Sequence, residues 1–208
     1  MKAPAPWIVT AMSVQPKKHY TLDEYLELER TVREKHEFFR GEIFAMGGAS
    51  EAHNLIVSNV LGEMRQYLRG KPCRVYPSDM RVKVSASGLY TYPDVVVVCG
   101  QPQFEPPADT LLNPTLLVEV LSESSEAYDR GKKSEQYRTL ASLTDYLLIA
   151  QDRALVEHYC RQPEERWLLQ TANRLEESVA ISSLGCELPL SEVYLNVTGI
   201  STEAAGNR

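Results

Sequence analysis

The sequence predicts an α/β domain with a mixed central β-sheet, helices packed on it, and additional β-hairpins toward both ends. Three observations carry this reading. Short runs rich in valine and leucine, "PDVVVVC", "TLLVEV" and "DYLLIA", have the length and composition of buried strands. Residues 50–70 and 128–140 instead repeat their apolar side chains at helical spacing. The signals alternate as helix, three strands, helix, strand, which is the order expected when helices cover a sheet.

Taken along the chain, "TLDEYLELER" opens with Thr21 and carries Glu24 three residues later, a capping box that starts a short helix. "HEFFRGEIFAM" reads as a hairpin turning at Arg40-Gly41. Ser50 is the N-cap expected for a helix whose apolar stripe is Leu55, Ile56, Val60, Met64 and Leu68, ending at Gly70. One strand is assigned to "RVYPSDMRVKV", one to Pro93–Cys99 and one to Thr115–Leu121, separated by a turn at Ser87-Gly88 and by the Pro-rich loop "GQPQFEPPADTLLNP". The helix "YDRGKKSEQYRTL" and the strand "DYLLIA" follow, then a closing hairpin from "LVEHYC" and "RWLLQT". No internal repeat is present. Residues 20–198 are expected to form a single domain between a flexible segment, 1–19, and a disordered tail, 199–208; the late first signal also marks Met12 as an alternative start.

A chain of 208 residues that is 43% hydrophobic can bury one sizeable core. Its net charge of −6 argues against a protein that coats nucleic acid through charge alone, though not against a local basic groove. Arg65, Arg69, Lys71, Arg74, Arg81 and Lys83 are dense enough to suggest such a flank, although charges on strand and helix surfaces more often only solubilise. The four cysteines form no C-x-x-C pair, and Cys99 ends an apolar strand as a small hydrophobe would, so a reduced cytoplasmic setting is expected. No apolar run approaches the roughly 20 residues that span a bilayer.

Two acids stand out against this background. Asp94 follows Pro93 at the head of four valines, and Glu119 stands between Val118 and Val120 in the next apolar run. An ionised carboxylate in a core strand needs a partner. If the two strands are antiparallel neighbours, the start of the first meets the end of the second and the acids come together. Two such carboxylates repel unless one takes a proton or a cation lies between them, and oxygen donors suit a hard ion, Mg²⁺ first and Mn²⁺ as a substitute. On the following helix Lys133, Tyr137 and Leu140 share one stripe, which points Lys133 inward while Lys132 and Gln136 face elsewhere. A lysine there would position a water at the metal, or deprotonate it if burial lowers its pKa, with Tyr137 packing beside it. The ordinary alternatives are a solvated acid after proline and a lysine whose stem lies on apolar surface.

The segments "YTLDEYLELE", "GEIFAMGGASEAHNLI", "YPDVVVVC", "LLVEVLSESSEAYDRGKKSEQYRTLASLTDYLLI" and "VEHY" together resemble the Uma-type restriction endonucleases, a family of the PD-(D/E)xK nuclease superfamily. The resemblance runs from about Tyr20 to Tyr194 and implies a restriction-endonuclease-like core with Mg²⁺-dependent phosphodiester hydrolysis. It implies metal ligation by Asp94, Glu119 and the Val120 carbonyl, and adds Glu37 and His53 as auxiliary residues. His53 would contact a water or phosphate at the site, or simply hydrogen-bond a neighbouring strand, the plainer reading and the one favoured. Leu121 stands where the superfamily motif has lysine, so Lys133 would be its migrated replacement. Nucleic acid, with DNA expected, is the implied substrate, and a homodimer is the simplest way to cut both strands. The rival is a nuclease fold retained only to bind DNA or a protein. No P-loop, dinucleotide-binding glycine motif or zincin motif is present.

Overall fold

The structure, a computed structural model, describes residues 18–201. The alternative start at Met12, most of the expected flexible segment and most of the expected tail lie outside these residues. Helix α1 (Leu22–Thr31) begins at the capping box, where the Glu24 N–H donates to Thr21 Oγ1 and the Thr21 N–H to Glu24 Oε2. Strands β1 (His36–Phe39) and β2 (Glu42–Ala45) form the N-terminal hairpin, and α2 (Glu51–Tyr67) starts at the Ser50 cap.

The hairpin turn makes a specific demand on its glycine. Gly41 has φ +83°, and a Cβ there would lie 2.8 Å from His19 Nδ1. Gly41→Ala is therefore expected to cost about 1–3 kcal/mol, read as a lower urea midpoint; an unchanged midpoint would contradict this.

The central sheet has the order β12-β11-β10-β9-β6-β3. Its strands are β3 (Cys73–Pro77), β6 (Val95–Cys99), β9 (Leu116–Leu121), β10 (Asp145–Ala150), β11 (Val156–Arg161) and β12 (Trp167–Ala172). Only β9 and β10 are parallel, so the sheet is mixed, as the sequence predicts. Alternate side chains of its middle strands reach opposite faces. Val95, Val97, Val118 and Leu147 pack with Ile56, Val60 and Met64 of α2. Val96, Val98, Leu117 and Leu148 pack on the other face with Tyr137, Leu140 and Leu143. With both faces covered, these strands read as unbroken apolar runs, and any charge within them is buried.

Several elements differ from the sequence expectation. "RVYPSDMRVKV" is not one strand: the chain turns at 78–80, sending β3 into the central sheet and β4 (Arg81–Val84) into a second one. That sheet, ordered β2-β1-β5-β4-β8-β7, takes in β5 (Leu89–Thr91), which the sequence reading passed over. The Pro-rich loop contributes β7 (Phe104–Glu105) and β8 (Thr110–Leu111). A further hairpin, β13 (Ser178–Ile181) with β14 (Cys186–Pro189), lies toward the C-terminus and leads into a short helix, α5 (Leu190–Val193). Ser201 pairs with Arg153, which ties the described part of the expected tail to the sheet body.

The second long helix is also interrupted. α3 (Glu126–Tyr128), a π-helical turn (Asp129–Lys133) and α4 (Ser134–Tyr137) run on as one segment, with the Ser134 N–H reaching back to the Asp129 carbonyl. Cys99 is not a free hydrophobic thiol as expected: the register sets it opposite Cys73 and the two are joined as a disulfide, leaving Cys160 and Cys186 free. No helix among the described residues is long and apolar enough to cross a membrane.

Candidate active site

The register of β6 against β9 brings the two predicted acids together. Val95 pairs with Val118, and one step further the pairing places Asp94 beside Glu119. Asp94 Oδ2 accepts the Val120 N–H at 2.7 Å, and its Oδ1 lies 3.1 Å from His53 Nε2. His53 sits in the first turn of α2, where its own N–H is held by the Ser50 side chain. Its ring thus hydrogen-bonds the carboxylate at the head of the neighbouring strand β6.

Glu119, on the face of β9 turned toward the interrupted helix, is only 5% exposed. Its Oε1 lies 2.9 Å from Lys133 Nζ and accepts the Tyr137 hydroxyl at 2.7 Å. Lys133, 4% exposed, also stands 2.9 Å from Glu37 Oε1 and 3.4 Å from Asp129 Oδ1. The Thr91 hydroxyl donates to Glu37 and lies 3.2 Å from the Tyr137 oxygen, closing a ring of polar contacts around the ammonium. All six residues named from the sequence, Asp94, Glu119, Lys133, Glu37, His53 and Tyr137, are therefore in one cluster, with the Val120 backbone fixed against Asp94.

Two members were missed. Asp129 pairs with Lys133 at i, i+4, a spacing readable in "DRGKK" but submerged among its neighbouring charges. Thr91 gave no signal because its three-residue strand was not recognised. The π turn between Asp129 and Lys133 sits where such turns often occur, at a site dense in polar groups.

The charges do not balance. Three buried carboxylates, Glu119, Glu37 and Asp129, surround one ammonium, and a fourth, Asp94, stands beside Glu119 against His53. Burial pushes the Glu119 carboxyl well above its usual range, and the charges of Asp129 and Asp94 add to that rise against the pull of Lys133. Burial also raises Asp129. For Lys133 burial acts downward, but Glu119, Tyr137, Glu37 and Asp129 together hold it well above its usual range. The ammonium therefore stays charged. This corrects the expectation that a lowered pKa would let Lys133 deprotonate water; its suited task is to place and neutralise negative charge.

A hard divalent cation fits this donor set, since it would supply the positive charge that the carboxylates lack, and oxygen is its preferred ligand atom. In the absence of such a cation the folded protein holds protons on Glu119 more tightly than the unfolded chain. Its contribution is then fully present below about pH 4.5 and is lost as pH rises toward the folded pKa, by at most about 1.4 kcal/mol per unit. Melting in chelator from pH 5 to 8 should thus fall less steeply for Glu119→Gln than for the wild type. Equal slopes would remove this reading.

The expected basic flank is dispersed. Arg81 is buried against Thr110, Tyr92 and Asp109, Lys83 pairs with Glu105, and Lys71 donates to the Leu184 and Gly185 carbonyls. Arg65, Arg69 and Arg74 are exposed.

A family model described as "Putative restriction endonuclease", Uma2, matches residues 22–191. The chain belongs to the Uma2 family. Two Synechocystis proteins are similar in sequence. "Uncharacterized protein slr1290" is 36% identical over 175 residues, covering 83% of this chain and 90% of its own. "Uncharacterized protein sll1609" is 38% identical over 159 residues, covering 76% and 90% respectively. The fold resembles a solved structure from Anabaena variabilis, titled as a putative nuclease belonging to DUF820, with TM-score 0.66 at 19% identity over 84% of this chain and 97% of that one. Every residue of the cluster lies within the Uma2 span.

Proposed function

We propose that this Uma2 protein is a divalent-metal-dependent endonuclease that hydrolyses phosphodiester bonds in DNA. The observation that carries the proposal is Lys133 Nζ set 2.9 Å from Glu119 inside a buried excess of carboxylates, next to Asp94. Asp94, Glu119 and the Val120 carbonyl would hold the ion, Mg²⁺ or in its place Mn²⁺. When bound, it would draw charge from a phosphate oxygen and make water a better nucleophile near neutral pH.

The chain's own groups do the rest. Lys133, kept charged by its acidic neighbours, offsets the negative charge that grows on the phosphate as water attacks. Glu37 and Asp129 hold the ammonium in place, so little reorganisation is needed when that charge develops. Tyr137 fixes the Glu119 carboxylate through its hydroxyl. His53 holds Asp94, and the first turn of α2 lends its positive dipole end to an incoming phosphate. The proposed working unit is a single domain, 20–198, acting as a homodimer that places one site on each strand of a duplex.

Calorimetric titration of Mn²⁺ tests the site. Wild-type protein should give a saturating heat that Asp94→Asn reduces at least about tenfold in affinity. Undiminished binding in the variant, or no heat in the wild type, would sink the assignment.

A further inference from the structure

On the other face of the central sheet lies a second polar cluster that the nuclease chemistry does not use. Asp145 opens β10 on the face shared with Leu147 and Ile149, toward α2 and away from Glu119. In the β10–β11 ladder Asp145 pairs with Cys160 and Leu147 with His158, so His158 and Cys160, two residues apart, project to that same face. One donor atom from each of Asp145, His158 and Cys160 lies within 4.8 Å of the others.

We propose that Asp145, His158 and Cys160 form a zinc site that fastens the C-terminal hairpin to the central sheet. Oxygen, nitrogen and sulfur donors together suit a borderline ion such as Zn²⁺ and do not suit Mg²⁺. His158 is 1% exposed and Asp145 fully buried, so both of these donors are fixed on that face.

His158 Nε2 lies 2.7 Å from Asp145 Oδ1, and Asp145 Oδ2 accepts from Thr144 at 2.6 Å and from Ser183 in the β13–β14 turn. Donors on one tetrahedral zinc stand roughly 3.3 Å apart at ligand distances of about 2.0 to 2.1 Å, so Asp145 and the imidazole need only spread slightly. Cys160 is half-buried near the end of β11 and carries a free thiol. Because Ser183 is already bonded to Asp145, fixing that carboxylate also fixes the turn that carries Ser183.

The test uses the full chain, stripped with chelator and reloaded with Zn²⁺ or Co²⁺. The wild type should retain one zinc equivalent, show a thiolate-to-cobalt charge-transfer band, and melt higher with Zn²⁺ than without. Cys160→Ser, at a half-buried position where the fold should persist, should lose the band and the zinc-dependent rise. Asp94→Asn should keep both, which separates this site from the nuclease centre. Absence of the band in the wild type, its survival in Cys160→Ser, or its loss in Asp94→Asn would each overturn the proposal.

Discussion

Glu119→Gln should abolish metal-dependent cleavage, with a loss on the order of 10³-fold or more, while the protein remains folded. Glutamine preserves the shape of the side chain, and its amide oxygen can still accept the Tyr137 hydroxyl. Lys133 keeps Glu37 and Asp129 as partners, so no buried ammonium is stranded. The substitution also removes a buried acid whose ionisation burial opposes, so the metal-free variant should melt no lower than the wild type near neutral pH. Activity is lost because one negative ligand is lost. Cleavage rates and melting curves on the same preparations check both halves; retained cleavage would mean that Glu119 does not serve the reaction.

Lys133→Met should have the largest effect on stability. The long apolar chain fills the same space, but three buried carboxylates, Glu37, Glu119 and Asp129, are left without their ammonium. Removing one partner of a buried ionic cluster costs about 3–5 kcal/mol. The loss should shrink in two conditions. A divalent cation supplies the missing charge, so Mg²⁺ should raise the melting temperature of the variant more than that of the wild type. Acid supplies protons instead: Glu119 and Asp129 already have raised pKa values, so their folded forms bind protons more tightly than the unfolded chain. Stability should therefore return as pH is lowered from 8 toward 5. Denaturant melts at both pH values, with and without Mg²⁺, measure this, and a deficit independent of both would contradict it.

Both variants act on residues that were visible in the sequence, and for one reason. Asp94, Glu119 and Lys133 are charges placed where the apolar pattern of a strand or helix demands burial, so each stands out locally. The central sheet was legible for the same cause, since strands covered on both faces are continuous apolar runs. What failed lacked a period. β5, β7 and β8 have three or two residues each, too short to alternate detectably. The break at 78–80 was hidden because strand-like residues flank it on both sides. The Cys73–Cys99 bond depends on a register between segments 26 residues apart, which spacing alone does not reveal. The protonation of Lys133 was misjudged because it is set by Glu37 and Asp129 as much as by burial, and Glu37 arrives from a distant hairpin.

The nuclease centre is tested most directly by incubating supercoiled circular, linear and single-stranded DNA with Mg²⁺ or Mn²⁺ and either the wild type or Asp94→Asn. Cleavage by the wild type alone is expected. Equal cutting by both proteins, or none by the wild type with either metal on any of these substrates, would contradict a nuclease centre at Asp94.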